Sequence, residues 1–524
     1  MESVLPPGIK REQFAALLAD LKKVVGREFV FTDTQWELPA YNDAYLTTPA
    51  ELHQPSAAVA PANVEELQRV LEVARHYKAP LWTISTGKNF AYGGPAPRKA
   101  GYIVLDLKRM NRILEVNEKH GYAVVEPGVS YMDLYRHLQK IGSKLWVDCA
   151  APGWGGVLPN MTEHGVGYTP YGDHVTMQCG MEVMLADGTL VQTGMGALPG
   201  SQTNHLYKYG LGPSVDGLFT QSNFGVVTKV GMWLMPEPPG YRPYMITFEK
   251  ESDLHAITEV LRPLKVNMLI PAVAMTVEML WEAAVQITRR DYYTGKGPIP
   301  DSVRKKMRSD LKIGAWNFYG ALYGPPPMMD NTWEVIHDAF ASIPGAKFYF
   351  DEDRSKDDVA WQYRKKLGAG IPNMTEYNVM NWIPNGAHID FSPISPVTGA
   401  DATKQYELIR DRCNKAGFDY CGEFAVGWRD MHHIFCLTFD RNDAKQKARA
   451  NKLFGDLVDA AAAAGYGEYR THVDFMDRIA GTYNWNDSAL LRMHEKVKDV
   501  VDPSGILSPG KMGIWPKSMR KGKA

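Results

Sequence analysis

One stretch, residues 81–97 (LWTISTGKNFAYGGPAP), constrains the fold of this chain more than any other. Its first four residues are apolar or β-branched and predict a buried strand. The loop that follows combines small side chains, one glycine and one cation: Ser85, Thr86, Gly87, Lys88 and Asn89. Backbone N–H groups and hydroxyls of such a loop approach a phosphate closely, because no bulky side chain intervenes. An ordinary glycine loop after a strand is the alternative that the loop by itself leaves open.

The segment before this stretch extends it to a βαβ unit. Residues 57–60 predict a short strand that ends at Pro61. Apolar residues at helical spacing then predict a helix before Pro80: Val64, Leu67, Val70, Leu71 and Ala74. The second strand of the unit therefore delivers the glycine loop. The loop matches neither GxGxxG nor GxxxxGK[ST], so the usual nucleotide fingerprints are absent.

Composition narrows the class of protein. The 524 residues suffice for two or more domains, and a net charge of -1 argues against nucleic acid as the partner. No run of apolar residues approaches the length of a membrane span, and the N-terminus has no signal pattern. The five cysteines are odd in number and lack CxxC spacing, which favours reduced thiols over disulfides or a metal site. We therefore expect a cytoplasmic protein without a structural metal.

Prolines divide the chain. Pro236, Pro238 and Pro239 mark the predicted domain boundary. The first half mixes helices such as residues 11–25 with short strands and many glycine turns. The second half alternates longer elements, with strands at 244–248, 315–323, 347–350, 388–393, 420–428 and 433–439 and helices at 252–262, 331–342, 402–415 and 444–464. Helices set against a largely antiparallel sheet predict an α+β domain.

Several polar residues are candidates for chemistry. Tyr469-Arg470 places a phenol beside a guanidinium, and both donate hydrogen bonds to an anionic oxygen. A surface arginine beside a packed tyrosine is the other interpretation. His432 and His433 are adjacent on a predicted strand, so they point to opposite faces and we expect a structural role rather than a metal pair.

His388 begins an alternating strand. His388 and Asp390 share one of its faces, while Ile389 and Phe391 share the other. A histidine and a carboxylate on one face suit either a solvated edge or the wall of an active site. The alternation of polar and apolar residues is consistent with both a solvated edge and an active-site wall.

Eight segments resemble the 4-phenol-oxidising flavoproteins, the family of vanillyl-alcohol oxidase, eugenol oxidase and the flavoprotein subunit of 4-cresol dehydrogenase. They are STGKNFAYGG (85–94), RMNRILEVNEK (109–119), GVGYTPYGDH (165–174), TGMGALPG (193–200), WNFYGALYGP (316–325), WIPNGAHIDFSP (382–393), GYGEYRTH (465–472) and PGKMGIWP (509–516). The matches follow one another in order along nearly the whole chain. The chain is most similar to the histidine-linked oxidases, among them the 4-ethylphenol type.

The resemblance implies a two-domain α+β fold of the vanillyl-alcohol oxidase type. The FAD-binding domain would comprise residues 1–238 and 475–524, and an α+β cap, residues 239–474, would cover the flavin. FAD would be covalently attached through His388, with its pyrophosphate on residues 85–89. Other residues that the resemblance places at the cofactor are Tyr171, Gly225, Val227 and Lys511.

Matches to the family also imply the substrate site. Tyr92, Tyr469 and Arg470 correspond to the three residues that bind the substrate as phenolate. The substrate pocket would be lined by Ala151, Val166, Tyr168, Glu423 and Ala425.

Two departures from the family are informative. The oxidases carry an aspartate near flavin N5 where this chain has Ala151, and they lack a carboxylate at the position of Asp390. We therefore expect Asp390 to replace the missing base, with its side chain roughly 6–7 Å beyond His388, from two strand steps of about 3.3 Å. An outward aspartate paired with a surface cation is the alternative. A loop associated with octamers is missing between Pro199 and His205, so we expect a homodimer.

The implied activity is oxidation of para-substituted phenols. Hydride would pass from the benzylic carbon to FAD and leave a p-quinone methide, and O₂ would reoxidise the flavin to give H₂O₂. Ala151 and Ala425 predict an apolar wall that favours 4-alkylphenols over methoxylated alcohols. The alternatives are a dehydrogenase that passes electrons to a cytochrome, and a flavin-binding protein that has lost its activity.

Overall fold

The glycine loop follows the last strand of a four-stranded sheet. In the computed structural model, which describes residues 4–520, the strands of this sheet lie side by side in the order Val30–Phe31, Ala57–Val59, Ile103–Asp106 and Leu81–Ile84. The predicted βαβ unit is present, with helix Val64–Tyr77 as its crossover. Its two strands are not neighbours, since both pair in parallel with Ile103–Asp106, which lies between them.

A five-stranded antiparallel sheet completes the first half. Its strands, in spatial order, are Ile113–Asn117, Tyr122–Val125, Val226–Trp233, Gln178–Met184 and Leu190–Gln192. Two hairpins belong to this sheet, at residues 113–125 and 178–192. Leu145–Trp146 pairs with Met235–Pro236 in a small separate ribbon. The helices of this half are Arg11–Val25, Val64–Tyr77, Tyr131–Lys140, Val157–Thr162 and His174–Met177.

The second half is built on an eight-stranded sheet whose pairings are all antiparallel, as predicted. The strand order is Lys347–Tyr349, Tyr241–Phe248, Trp316–Tyr323, Ala274–Glu278, Gly422–Val426, Asp430–Asp440 and Gly386–Phe391, with Ile394–Pro396 also on Asp430–Asp440. Its helices are Asp253–Val266, Met279–Ala284, Asp301–Leu311, Pro326–Ala341, Val359–Gly368, Gly399–Lys415 and Ala444–Ala463.

The sequence missed the central strand Ala274–Glu278. All five of its residues are buried, so no polar–apolar alternation marks it, and helix Met279–Ala284 follows without a turn residue. The first two sheets end at Trp233 and the large sheet begins at Tyr241, on either side of the predicted proline boundary.

The C-terminal segment returns to the first sheet. Helices Met476–Ala480 and Trp485–Val501 precede it. Leu81 then donates its N–H to Ile506 O at 2.7 Å and accepts a hydrogen bond from Ser508 N at 2.8 Å. Buried Lys498 reinforces this join, since its Nζ donates to Asn223 O at 2.6 Å and Leu507 O at 2.7 Å. The chain end thereby reaches the strand that carries the glycine loop.

The hydrophobic cores contain apolar residues from the first half, the second half and the C-terminal segment of the chain. One large cluster lies between the eight-stranded sheet and its helices, and a second joins that sheet to the five-stranded sheet. A membrane-spanning helix is not found among the described residues, as none of their helices combines the needed length with enough apolar character.

Candidate active site

A cavity of about 330 Å³ lies where the glycine loop, the large sheet and the C-terminal segment meet. Most residues predicted for the cofactor or substrate site line it. They are Ser85, Thr86, Gly87, Lys88, Asn89, Tyr92, Ala151, Val166, Tyr168, Gly225, Val227, His388, Asp390, Glu423, Tyr469, Arg470 and Lys511. Residues up to 426 positions apart in sequence therefore share one wall, from Ser85 to Lys511.

The glycine loop forms one end of the cavity. Gly87 has φ +65°, a left-handed conformation that glycine adopts without strain. Gly156 faces the loop so closely that a Cβ there would lie 2.5 Å from Pro159 Cγ and 3.2 Å from Thr86 Cγ2. The charged end of Lys88 lies 5.2 Å from the centre of the Trp154 ring, and Lys511 forms an ion pair with Glu163. This end presents small residues and two cations.

Arg470 is the charged centre of a second part of the cavity wall, which we call the basic end. Its Nη2 lies 3.3 Å from the Tyr92 hydroxyl, and its Cζ lies 4.4 Å from the centre of the Tyr92 ring and 5.3 Å from that of Tyr469. Glu163, a nearby carboxylate, is already paired with Lys511. No ion pair within residues 4–520 engages Arg470, and its Nε and the Tyr469 hydroxyl have no hydrogen-bond partner there. A guanidinium held this way attracts an anion from the cavity.

Both tyrosines are donors at this end. Burial raises the pKa of Tyr92 and of Tyr469 above the ordinary value for a phenol. Their hydroxyls therefore keep their protons at neutral pH and donate hydrogen bonds to an anionic oxygen.

Buried histidine–aspartate pairs anchor the chain just after Arg470. His472 Nε2 lies 2.7 Å from Asp43 Oδ2, and His53 Nε2 lies 2.7 Å from Asp474 Oδ1. Burial opposes ionisation of Asp474, but the hydrogen bond from His53 and the charge of His472 lower its pKa to about 2. The segment that carries Tyr469 and Arg470 is thus tied to the N-terminal part of the chain.

A group of buried carboxyl side chains, the acidic wall, lies at the same cavity. Glu282 and Glu423 both lie 3.1 Å from nitrogen atoms of Arg364, and all three side chains are buried. Glu376 also lines the cavity, and its Oε2 has no partner among the described residues. Burial and the nearby Glu423 raise the pKa of Glu376 well above its ordinary value, and burial raises that of Glu423 to about 7. Arg364 is therefore shared by two carboxyl groups, Glu282 and Glu423, while Glu376 retains its proton more strongly than an ordinary glutamate.

His388 meets Asp390 directly. Its Nδ1 lies 2.8 Å from Asp390 Oδ1 and 3.2 Å from Cys436 Sγ, whereas its buried Nε2 has no partner in residues 4–520. The shared strand face is confirmed, since Ile389 and Phe391 are buried in the core on the other side. The expected offset of roughly 6–7 Å is wrong, because the two side chains turn towards each other. Within residues 4–520 Asp390 forms no ion pair with a surface cation and instead lines the cavity beside His388, so the outward alternative is wrong.

Two predicted residues lie away from the cavity wall. Tyr171 lines a separate surface cleft beside Glu118 and Leu206, because the tight turn at 169–172 directs it there. Ala425 shares the face of Glu423 but is 1% exposed and packs in a hydrophobic cluster with Met275. Its methyl group is therefore buried in that cluster and does not line the cavity.

Sequence reasoning missed Glu376, Tyr377 and Cys436 at the cavity. Glu376 and Tyr377 lie in an irregular 3₁₀ turn, Thr375–Trp382, which has no periodic pattern. Cys436 is directly opposite Asp390 in the strand pairing, a relation that only the register reveals. His388, Asp390 and Cys436 hold three potential metal-ligand atoms within 4.8 Å of one another. The expectation of no metal rested on cysteine spacing and did not consider this group.

The two adjacent histidines behave as predicted from strand geometry. His432 Nε2 lies 2.8 Å from Asp430 Oδ2, and His433 Nε2 lies 2.6 Å from the Tyr420 hydroxyl. Burial lowers the pKa of His433 to about 3, so this histidine is neutral. Neither residue lines the cavity.

Comparison with known proteins agrees with this arrangement. Residues 55–194 match the model of an FAD binding domain, and residues 270–512 match the C-terminal domain of FAD linked oxidases. The flavoprotein subunit of 4-cresol dehydrogenase (hydroxylating) from Pseudomonas putida is 39% identical over 514 residues, which is 98% of each chain.

Solved structures give the same result over the full length. The 4-ethylphenol oxidase from Gulosibacter chungangensis, in complex with isoeugenol, superposes with a TM-score of 0.96 at 42% identity and covers 98% of this chain and 100% of that one. p-Cresol methylhydroxylase with substrate bound gives 0.95 at 38% identity, with coverages of 98% and 99%.

The fold and the cavity define an FAD-linked oxidoreductase. The chain belongs to the 4-phenol-oxidising flavoprotein family, and its predicted two-domain α+β fold of the vanillyl-alcohol oxidase type is confirmed. The cavity residues fit FAD. A dinucleotide needs a close backbone approach, which Gly87 and Gly156 allow, and cations for its phosphates, for which Lys88 and Lys511 are the lysines that line the cavity.

Replacing Arg364 by methionine is expected to lower the free energy of unfolding by about 3–5 kcal/mol, because Glu282 and Glu423 lose the cation with which both form ion pairs. The loss should be smaller at pH 6 than at pH 8, since both carboxyls have raised pKa values and are increasingly protonated at the lower pH. Urea denaturation at both pH values measures this. Exposed Lys366, replaced in the same way, is the control. Equal stability of the Arg364 variant and wild type would contradict the assigned role.

Proposed function

We propose that this protein oxidises para-substituted phenols, 4-alkylphenols in preference, after binding them as phenolates. The observation that carries the proposal is the guanidinium of Arg470, which faces the cavity with two tyrosine hydroxyls and no carboxylate partner in the described chain. Names of the relatives, 4-ethylphenol oxidase and 4-cresol dehydrogenase, support a para-alkylphenol as substrate.

Arg470, Tyr92 and Tyr469 perform the first task, which is to stabilise the phenolate. Three donors converge on its oxygen, and their interaction is strong because the end of the cavity is buried. A phenolate pushes electron density towards the benzylic carbon in the para position. Bound FAD supplies the chemistry of accepting a hydride from that carbon and passing the electrons to an acceptor.

The acidic wall performs the second task. Loss of hydride converts the phenolate to a p-quinone methide, whose benzylic carbon adds water or whose side chain loses a proton. The sequence predicted Asp390 as the base for this step, but Asp390 Oδ1 is engaged by His388. We propose instead that Glu423, with a pKa of about 7, accepts the proton and that the protonated Glu376 carboxyl orients the water.

His388 performs the third task, covalent attachment of FAD. The nucleophilic atom is Nε2, because Nδ1 is already bonded to Asp390 and Nε2 is free of partners in residues 4–520. The rings of Tyr45 and Tyr377 lie 5.4 Å and 6.4 Å from the imidazole and fix its orientation. The homodimer and the cytoplasmic location stay predictions of the sequence.

An aerobic substrate panel with H₂O₂ detection tests the activity and the electron acceptor together. We expect turnover of 4-ethylphenol with stoichiometric H₂O₂, and slower turnover of vanillyl alcohol, because the wall at Ala151 is apolar. The alternative acceptor is a cytochrome, favoured by the relationship to 4-cresol dehydrogenase. It predicts reduction of the flavin by 4-ethylphenol without H₂O₂ and fast turnover with an added one-electron acceptor. A flavin that no para-substituted phenol bleaches would contradict the proposed function.

Removing one donor from the phenolate site is expected to lower kcat/KM by about ten- to a hundredfold, the effect of one charge-assisted hydrogen bond. Tyr469→Phe and Arg470→Met are the informative variants, assayed by steady-state kinetics with 4-ethylphenol. Exposed Tyr207→Phe is the matched control. The methyl ether, 4-ethylanisole, should not react with wild type, because it cannot form a phenolate. Its rapid oxidation would exclude the phenolate mechanism.

Covalent attachment is tested by acid precipitation. Wild-type protein should retain its yellow colour in the pellet, and intact-mass measurement should give the chain plus one FAD. His388→Ala should release its flavin into the supernatant, whereas the exposed control His120→Ala should behave as wild type. Release of flavin by wild type would show that His388 is not an attachment site.

A further inference from the structure

The two ring nitrogens of His388 lie in different surroundings. His388 lines the cavity and its Nε2 has no partner in residues 4–520, while Nδ1 lies within 2.8 Å of a carboxylate and 3.2 Å of a thiol. Only one neutral tautomer of imidazole leaves a lone pair on Nε2, and that tautomer carries its proton on Nδ1. The partner of Nδ1 therefore decides whether Nε2 can form a bond.

Asp390 is the group that selects this tautomer. A carboxylate only accepts hydrogen bonds, so pairing with a carboxylate in the 2.8 Å contact requires Nδ1 to be the donor. Cys436 does not compete for the proton as an anion, because burial raises the pKa of its thiol well above the ordinary value. The ion pairs of the described chain give Asp390 no Lys or Arg partner, so its charge acts on His388.

We propose that Asp390 is the positioning residue for covalent attachment of FAD, holding His388 with its proton on Nδ1 and offsetting the positive charge that the ring acquires when Nε2 reacts. This inference rests on the proposed function, in which His388 carries FAD. It assigns Asp390 a role through His388 rather than at the benzylic carbon.

The step balances as follows. A bond forms between Nε2 and the methyl carbon at the edge of the isoalloxazine ring, and a C–H bond of that methyl group breaks. Its proton leaves, and the two electrons remain on the ring system until dioxygen takes them. The Nδ1 proton moves towards Asp390 as the imidazole becomes alkylated. With the two released protons, dioxygen is reduced to hydrogen peroxide.

Asp390→Asn is the decisive variant, because it keeps the size of the side chain and removes the charge. An amide also donates hydrogen bonds, so it can bind the tautomer that has its proton on Nε2, which has no lone pair there. We expect covalent attachment to slow by about ten- to a hundredfold, the effect of one charge-assisted hydrogen bond. Non-covalent FAD binding should persist, because the phosphate end of the cavity is untouched.

The neighbouring strand offers a matched control. Asp430 and His432 form a second aspartate–histidine pair with the same two-residue spacing and the same 2.8 Å separation, and neither residue lines the cavity. Asp430→Asn should therefore attach FAD at the wild-type rate. Asp390→Glu, which restores the charge on a longer side chain, should recover part of the rate.

The experiment follows the covalent fraction with time. Protein made under riboflavin limitation is incubated aerobically with FAD. Samples are acid-precipitated, and intact-mass spectrometry measures the fraction of the chain that carries FAD. Circular dichroism and quenching of FAD fluorescence confirm folding and non-covalent binding of each variant. Slow attachment in Asp390→Asn alone, with folding and FAD binding intact, supports the proposal. Attachment at the wild-type rate in Asp390→Asn overturns it and leaves His388 as the attachment site. Wild-type protein that never gains covalent FAD overturns the proposed attachment itself.

Discussion

The site depends on one electrostatic constraint, the guanidinium of Arg470 held at the wall of a buried cavity without a carboxylate of its own. A buried cation that forms no ion pair within residues 4–520 is costly, and the fold tolerates it through two tyrosine rings and the Tyr92 hydroxyl. In the function that we propose, this cost is offset when the substrate binds as an anion. Binding of a neutral phenol would then be coupled to its deprotonation, and deprotonation activates the para carbon.

Rigid support makes this arrangement possible. Arg470 and Tyr469 lie in an irregular segment, which would be free to rearrange if it were not anchored. The pairs Asp43–His472 and His53–Asp474 tie the segment to residues more than 400 positions earlier in the chain. Because these four side chains are buried, the hydrogen bonds are protected from water, and the donors stay aimed at the cavity.

The cavity carries groups of opposite character. Arg470 provides positive charge, and Glu376 and Glu423 provide carboxyl groups with raised pKa values. In the function that we propose, loss of hydride would convert an electron-rich ring into an electron-poor quinone methide. Arg470 would then stabilise the substrate, and the carboxyl groups would serve as acid and base for the intermediate. Arg364 reduces the electrostatic repulsion among the carboxyl groups of the acidic wall, because it forms ion pairs with two of them, Glu282 and Glu423.

Local signals in the sequence determined the elements and some of the faces. Helix Arg11–Val25 was predicted with the bounds that the structure has, and the alternation at 388–391 placed His388 and Asp390 on one face. These predictions succeed because helical and strand periodicity depend only on neighbours in the chain. Resemblance supplied what periodicity could not, namely that His388, Tyr92, Tyr469 and Arg470 belong to one site.

Tertiary structure alone decided the partners of these residues. The contact of Asp390 with His388, the place of Cys436 beside them and the shared Arg364 follow from strand register and from side-chain direction in a packed interior. No local rule contains that information, because pairing between distant strands is fixed only when the whole sheet closes. Tyr171 and Ala425 illustrate the same limit. Each lies in a segment that approaches the site, and the final turn or packing of its side chain directs it elsewhere.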